Sequence, residues 1–402
     1  MSDPISRDGT GRAATRHDLL PLLCALSFAL SLNSGVLNPL LPEISRDLGV
    51  SITAAGQLAT VSLVTCALAA LVAGTLSDLY GRRVFLAGGL ALVGAGALGT
   101  SLSPTYAAAL LGRALGGLGF VMAVALALAG DAFRGAERDQ AAARLLVADA
   151  SAYLVGVPLV AATAQLAGWR LANAGFGVLC LVLALLAWTG LPHQPRPVET
   201  PGLRAAFAAL WHEHRRRPEL LLVLLANGLR NTFWVGFTTY AGAFYAAIFG
   251  FQTWQLGPLL ALGAAFYIAG TEAGGRLVGR LGPARLTAAG CGGAALLATA
   301  LPLVAVLPLS LATLAALCLL GGAANSALMA WLLRLAPARR GGTLALSNAL
   351  TNLGAAVGAA CGGVGIMVMG YSGLGLAVAG FALAAAACAL WSARYQTKVA
   401  EA

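Results

Sequence analysis

Long apolar runs separated by short polar turns dominate this chain. Read as helices, they cover 19–41, 52–76, 84–103, 105–130, 143–167, 170–191, 219–247, 254–278, 284–306, 309–334, 343–369 and 373–393. A helix needs about 20 apolar residues to cross the hydrocarbon of a bilayer. Some breaks follow from length rather than polarity. Leu286–Leu333 carries no charged side chain, yet about 48 residues of helix would rise about 72 Å against a core of about 30 Å. Two helices must meet there, turning near Pro302–Pro308, and Ser103-Pro104 splits 84–130 in the same way. The pattern predicts an all-α membrane protein with twelve spans. A polar tail, 1–18, precedes a first group of six spans within 19–191. A hydrophilic segment, 192–218, leads to a second group within 219–393, and 394–402 forms a short tail. Within the hydrophilic segment, Leu203–Arg217 reads as an amphipathic stretch, with Phe207, Leu210 and Trp211 on one side and Arg204 and Arg215–Arg217 on the other.

Composition sharpens this picture. Apolar residues make up 59% and charged residues 10% of the chain, against about 45–50% and about 25% in soluble domains. The net charge of +10 is not a nucleic-acid patch, because the basic residues sit in short turns without interleaved aromatics. Of the 25 basic residues, all but Arg46, Arg113, Arg170 and Arg230 fall at one side of the spans. By the positive-inside rule that side is the cytoplasm, so both termini are expected there; a bacterial inner membrane is the expected location. The first run, Leu19–Leu41, exceeds a signal-peptide core and is expected to stay as a span. The single lysine, Lys398, leaves no residue for a phosphate-binding G-x-x-x-x-G-K-[ST] loop. The seven Cys lie in apolar runs with no C-x-x-C and no metal spacing, so they read as small hydrophobes and no metal or cofactor is expected. All four His lie in cytoplasmic segments, which disfavours a membrane enzyme.

The turn after the second span reads Gly74-Thr-Leu-Ser-Asp78-Leu-Tyr-Gly81-Arg82-Arg83. This closely resembles G-x-L-[SA]-D-x-x-G-R-[KR]-x, the signature of the major facilitator superfamily, in the place where that family carries it. The same turn of the second half, Gly275 to Arg285, keeps the glycines and the positive charge but has Gly279 in place of Asp78. Such a parallel repeat is how these halves are built. The resemblance implies two pseudo-symmetric six-helix halves around a central cavity. It also implies a gating role for Gly74, Asp78, Gly81, Arg82, Arg83 and Asp131. Asp78 would face the N-terminus of span 11, near Gly341-Gly342-Thr343, while Arg82 or Arg83 pairs with Asp131.

Other segments are similar to the efflux branch of the family. Span 4 has Arg113-Ala-Leu-Gly116-Gly117-Leu-Gly119, with Gly116 where that branch has Gln. Span 5 has Gly156-Val-Pro158, which resembles the antiporter motif G-x-x-x-G-P-x-x-G-G with an extra residue between Gly and Pro and with Val160 and Ala161 where Gly-Gly is usual. Span 1 ends Asn38-Pro39-Leu-Leu-Pro42 without the upstream Asp.

Charges inside a membrane are costly and mark functional candidates. Asp149, Glu272 and Arg113 are the proton-coupling candidates. Glu272 has Arg276 at i+4, so an ordinary helix pair accounts for it equally well. Arg276 is also the candidate partner of Asp149 across the halves when the cytoplasmic side closes; separation would let the carboxylate take up a proton. Arg230 lies near the middle of span 7. Asn33, Asn38, Asn227, Asn231, Asn325, Asn348 and Asn352 fall on spans 1, 7, 10 and 11, which line the cavity in this family, although such residues also join helices. Trp234, Tyr240, Tyr245, Tyr267 and Trp331 are candidate cavity walls, and Trp254 and Tyr371 read as interfacial.

The sequence is thus expected to encode a secondary transporter that exports a small molecule (drug, sugar or metabolite) by alternating access, coupled to protons and working as a monomer. A uniporter or proton symporter of the same fold is the alternative. A membrane-embedded enzyme or a non-transporting sensor fits less well.

Overall fold

The computed structural model of the chain describes residues 16–119, 122–191, 217–335 and 340–401, and among these every regular element is helical. Among the described residues, ten helices are long and apolar enough to cross a membrane. One of them, Glu137–Gly190, folds back at Gly168 (φ 81°, ψ 157°) and makes two crossings. Tyr106–Leu118 and Met122–Ala132 together make a further one, which gives twelve among the described residues. We label them α1 (Arg16–Gly35), α2 (Ile52–Tyr80), α3 (Arg82–Ser101), α4 (106–132), α5 (136–167), α6 (169–190), α7 (Pro218–Phe249), α8 (Thr253–Leu281), α9 (Pro283–Ala300), α10 (Leu307–Leu335), α11 (Arg340–Met369) and α12 (Ser372–Glu401).

Local sequence explains the breaks. Gly35 ends α1, which resumes as a 3₁₀ turn at Asn38–Leu40 and a short helix Leu41–Asp47, with prolines in both first turns as their missing N–H allows. Ser51 and Thr105 cap α2 and α4, accepting from Ala54 N and Ala108 N, and Gln252 with Gln255 form a reciprocal box on α8. A prolyl turn at Leu301–Leu303 parts α9 from α10, inside the charge-free stretch that length alone divides. Helix α5 starts at Ala136 rather than 143, because Ala136–Arg144 is too polar to register as span. Asp149 therefore lies about two turns deeper in its helix than hydropathy implies.

The second half repeats the first with an offset of six helices. α1 packs on α5, α2 on α4, α3 on α4 and α6; α7 packs on α11, α8 on α10, α9 on α10 and α12. The turns repeat too: Gly81 (φ 94°, ψ 137°) joins α2 to α3, and Gly282 (φ 77°, ψ 151°) joins α8 to α9. Only glycine takes that backbone without strain, which is why the second copy of the motif kept its glycine while losing its acid. Between the halves α2 packs on α11 and α5 on α8, two seams that the same offset exchanges. Small residues bring the backbones together: a Cβ on Gly354 would lie 2.5 Å from Gly228 O, and one on Gly112 2.6 Å from Thr100 N. In lipid such close backbone packing takes over the role of the hydrophobic effect.

Candidate functional site

The bundle has two ends. The basic end carries Arg82, Arg83, Arg217 and Arg334; the opposite end carries Asp47, Arg170 and Trp254. Between them, a line of polar groups crosses from one half to the other. Asp149 on α5 accepts a short hydrogen bond from Ser31 Oγ on α1. One turn on, at the start of a π-helical turn, Ala152–Gly156, stands Tyr153, which interacts with Ser34 and lies within electrostatic reach of both Asp149 and Tyr267. Single π turns concentrate at functional sites because they re-aim side chains within a helix. On the other half, Tyr267 (α8) meets Trp234 (α7) with ring centroids 4.4 Å apart and planes tilted by 38°, and its hydroxyl lies 3.4 Å from Arg230 Nη1. Asn227 Oδ1 lies 3.4 Å from both Nε and Nη2 of Arg230, and Asn227 Nδ2 donates to Ser347 Oγ on α11 at 2.9 Å. Beside this line, Gly35, Asn38, Tyr153, Val157, Trp234 and Leu259 are among the residues around a cavity of about 90 Å³.

Arg113 forms a separate center within the first half. It is 3% exposed, and donates to Asn33 Oδ1 (3.2 Å), Asn33 O (3.2 Å) and Ser62 Oγ (3.3 Å). Asn33 is therefore occupied by an arginine inside its own half. At the basic end, Arg82 Nη1 lies 2.5 Å from Asp131 Oδ2, and Arg83 lies over the Trp188 ring at 5.0 Å, which ties α3 to α4 and α6. The side chains of Gly74, Asp78, Gly341 and Gly342, and the amphipathic stretch before Arg217, lie outside the described residues. Arg217 itself donates to Leu335 O at 3.2 Å.

Toward the opposite end the halves are joined. Thr253 Oγ1 donates a short hydrogen bond to Glu43, Thr53 Oγ1 donates to Gly363 O at 3.2 Å, and Gly257 of α8 abuts Pro158 of α5. Beyond these contacts opens a vestibule of about 1060 Å³, bordered by Glu43, Gln165, Gln252 and Tyr371. α8 packs on the π turn and the part of α5 after it, so the two helices meet away from the basic end.

This geometry places the sequence candidates and corrects several of them. Arg276 is 84% exposed and lies 3.8 Å from Glu272; α5 and α8 do not close on one another at their basic ends, which is the open arrangement in which the sequence reading has Asp149 and Arg276 apart. Glu272 stands in that helix pair. Tyr240 is sealed in the seam between halves, where its hydroxyl donates to Ala359 O at 3.1 Å beside Gly56 and Gly363; it does not wall the cavity. Tyr245 bonds to Ser310 within a cluster of Phe244, Phe249 and Phe251, and Trp331 packs with Leu328 and Leu332. Tyr371 is half-buried against Phe244 and borders the vestibule. Asn231 joins α7 to α11 through Thr351 O at 2.8 Å, and Asn352 donates to Asn348 at 3.2 Å. Asn325 is half-buried on α10. Gly156 lies against Phe28 and Leu32 of α1, so the Gly-Pro segment sits where α5 touches both α1 and α8. Sequence reasoning missed Ser31, Ser34 and Tyr153. Tyr153 stands at i+4 from Asp149, a spacing that places both on one helix face.

Residues 23–328 match the family model described as Major Facilitator Superfamily. Among curated proteins the chain is similar to "Chloramphenicol resistance protein" of Streptomyces lividans, 30% identical over 66% of this chain and 67% of that one. It is also similar to "Transcription regulatory protein OpdE" of Pseudomonas aeruginosa, 30% identical over 61% of this chain and 61% of that one. Among solved structures it is similar to a bacterial homolog of the human lysosomal transporter Spinster in an inward-facing, unoccupied conformation. That match has a TM-score of 0.78 and 16% identity, and covers 94% of this chain and 97% of the other.

Proposed function

This chain belongs to the Major Facilitator Superfamily, and from that premise we propose that it exports a small molecule in exchange for protons by alternating access. That it is a multi-pass membrane transporter and not an enzyme follows from the family and the fold. Export, proton exchange, a monomeric state and residence in the inner membrane with cytoplasmic termini are our own reading. The observation that carries it is Asp149, an acid held by Ser31 of α1 one turn before Tyr153, which borders the cavity, on a helix that also forms a seam between the halves. A carboxylate so placed feels both the proton and the conformation, which exchange requires. The relative named for chloramphenicol resistance supports export.

Everted membrane vesicles acidified inside by respiration test this reading. A transported compound should release protons outward and partly collapse the gradient reported by an acridine dye. A panel of antibiotics beginning with chloramphenicol, with sugars and amino acids, supplies the compounds. Accumulation of a compound with no effect on the gradient would refute proton exchange. Orientation is tested separately with single cysteines on a cysteine-free background. Positions 83, 216 and 340 should resist an impermeant maleimide added to intact cells, while 106, 254 and 371 react. Labelling of position 216 from outside reverses the topology.

A further inference from the structure

Arg230 is a buried cation whose partners do not account for its charge. It is 5% exposed, and a guanidinium offers five N–H donors. Its three contacts, two to Asn227 Oδ1 and one to Tyr267 Oη, are all 3.4 Å long and all to neutral groups. Charge-assisted hydrogen bonds are normally about 2.7–2.9 Å. Among the described residues no carboxylate forms an ion pair with it, and Glu272, the acid of its own half at membrane depth, is exposed beside Arg276. Leaving a charge uncompensated inside a protein is costly, and an anion brought to it recovers that cost. Arg113 differs: a main-chain carbonyl and two side chains hold it at 3.2–3.3 Å, beside a void of only about 20 Å³.

What surrounds Arg230 is also shaped for an organic molecule. Trp234 stands one turn along α7 and meets Tyr267 with the ring planes tilted by 38°, which makes an aromatic wall. Trp234 also borders the cavity of about 90 Å³, whose other residues include Gly35, Val157, Leu259 and Gly263. That cavity lies between the halves, takes an apolar group of a few atoms, and offers no charge of its own.

We propose that Arg230, with Asn227 and Tyr267, is an oxyanion subsite of the transported molecule, and that the substrate is a small amphiphilic organic anion. Its charged group sits on the guanidinium fork, and its apolar body lies along Trp234 into the cavity. This rests on the reading of the central cavity as the transport path.

Three probes that differ only in their terminal group decide the matter: 3-phenylpropionate, 3-phenylpropanol and 3-phenylpropylamine. Binding to the purified full chain in lipid nanodiscs is followed by saturation-transfer NMR, which reads weak ligands. The acid should bind wild type at least about tenfold more tightly than the alcohol or amine. Arg230→Gln should remove that preference and leave the three probes alike. Arg230→Lys, which keeps charge but not the fork, should retain the preference with weaker binding. No binding of the acid, equal binding of all three to wild type, or an anion preference that survives in Arg230→Gln would each overturn the proposal. The wild-type comparison stands even where a variant does not insert. No gradient is present, so a failure of proton exchange in vesicles and a failure of anion preference are separate results.

Discussion

Asp149→Asn should abolish accumulation of substrate driven by a pH gradient while sparing substrate-for-substrate exchange. The substitution is nearly isosteric, and the amide oxygen still accepts from Ser31 Oγ, so α1 and α5 stay joined at this point. What is lost is the ability to carry a proton between conformations. With one proton exchanged per substrate, each pH unit across the membrane supports about a tenfold concentration ratio, since tenfold corresponds to about 1.36 kcal/mol. Proteoliposomes of the variant under one unit of ΔpH should reach a ratio near one. Preloaded vesicles should still exchange labelled for unlabelled substrate at close to the wild-type rate, because both halves of that cycle run with substrate bound. A variant that still concentrates substrate about tenfold would remove Asp149 from the coupling. Glu272 would then be tested next, although its partner Arg276 and its exposure suit an ordinary helix pair.

The fold was legible because lipid imposes a simple rule: backbone polar groups must be satisfied within the helix, so apolar length reads directly as span. Even hidden turns yielded, as at Leu301–Leu303, since no bilayer holds one helix that long. The repeat was legible in Gly81 and Gly282, where backbone geometry dictates the residue. Side-chain partners were not. The same residue type on the same kind of helix ends in quite different places: Tyr240 seals a seam, Tyr245 closes an aromatic cluster, and Tyr267 meets Arg230. Those fates depend on rotation about the helix axis, and in helices apolar on every side periodicity carries little of it. Asn33 shows the same limit. Its place in a cavity-lining span said nothing of Arg113, eighty positions away, which holds it by both its amide and its carbonyl. The π turn after Ser151 is a tertiary adjustment that local sequence does not announce.

Gly257→Val should hold the halves apart at the opposite end and slow every mode of transport, including exchange. Gly257 faces α5 where α5 and α8 meet. A Cβ there would lie 2.6 Å from Pro158 Cα and 2.8 Å from Ala161 Cβ, and the first of these is backbone that cannot rotate away. Overpacking of this kind costs about 1–3 kcal/mol. The cost falls only on the conformer in which this seam is closed, so the equilibrium moves by about 5–150-fold toward the one in which it is open. The helix itself is not disfavoured, because valine replaces the poorer helix former. A cysteine at Gln165, on the vestibule wall, reports the change through its rate of labelling by an impermeant maleimide. That rate should rise in the variant while exchange falls by a similar factor. Gly275→Val is the matched control: it lies on the same helix, and nothing stands within 4 Å of its added Cβ. It should transport and label like wild type. Wild-type exchange together with unchanged labelling in Gly257→Val would show that the Pro158 contact yields without cost, and the α5–α8 seam would then not be the element whose closure the cycle depends on.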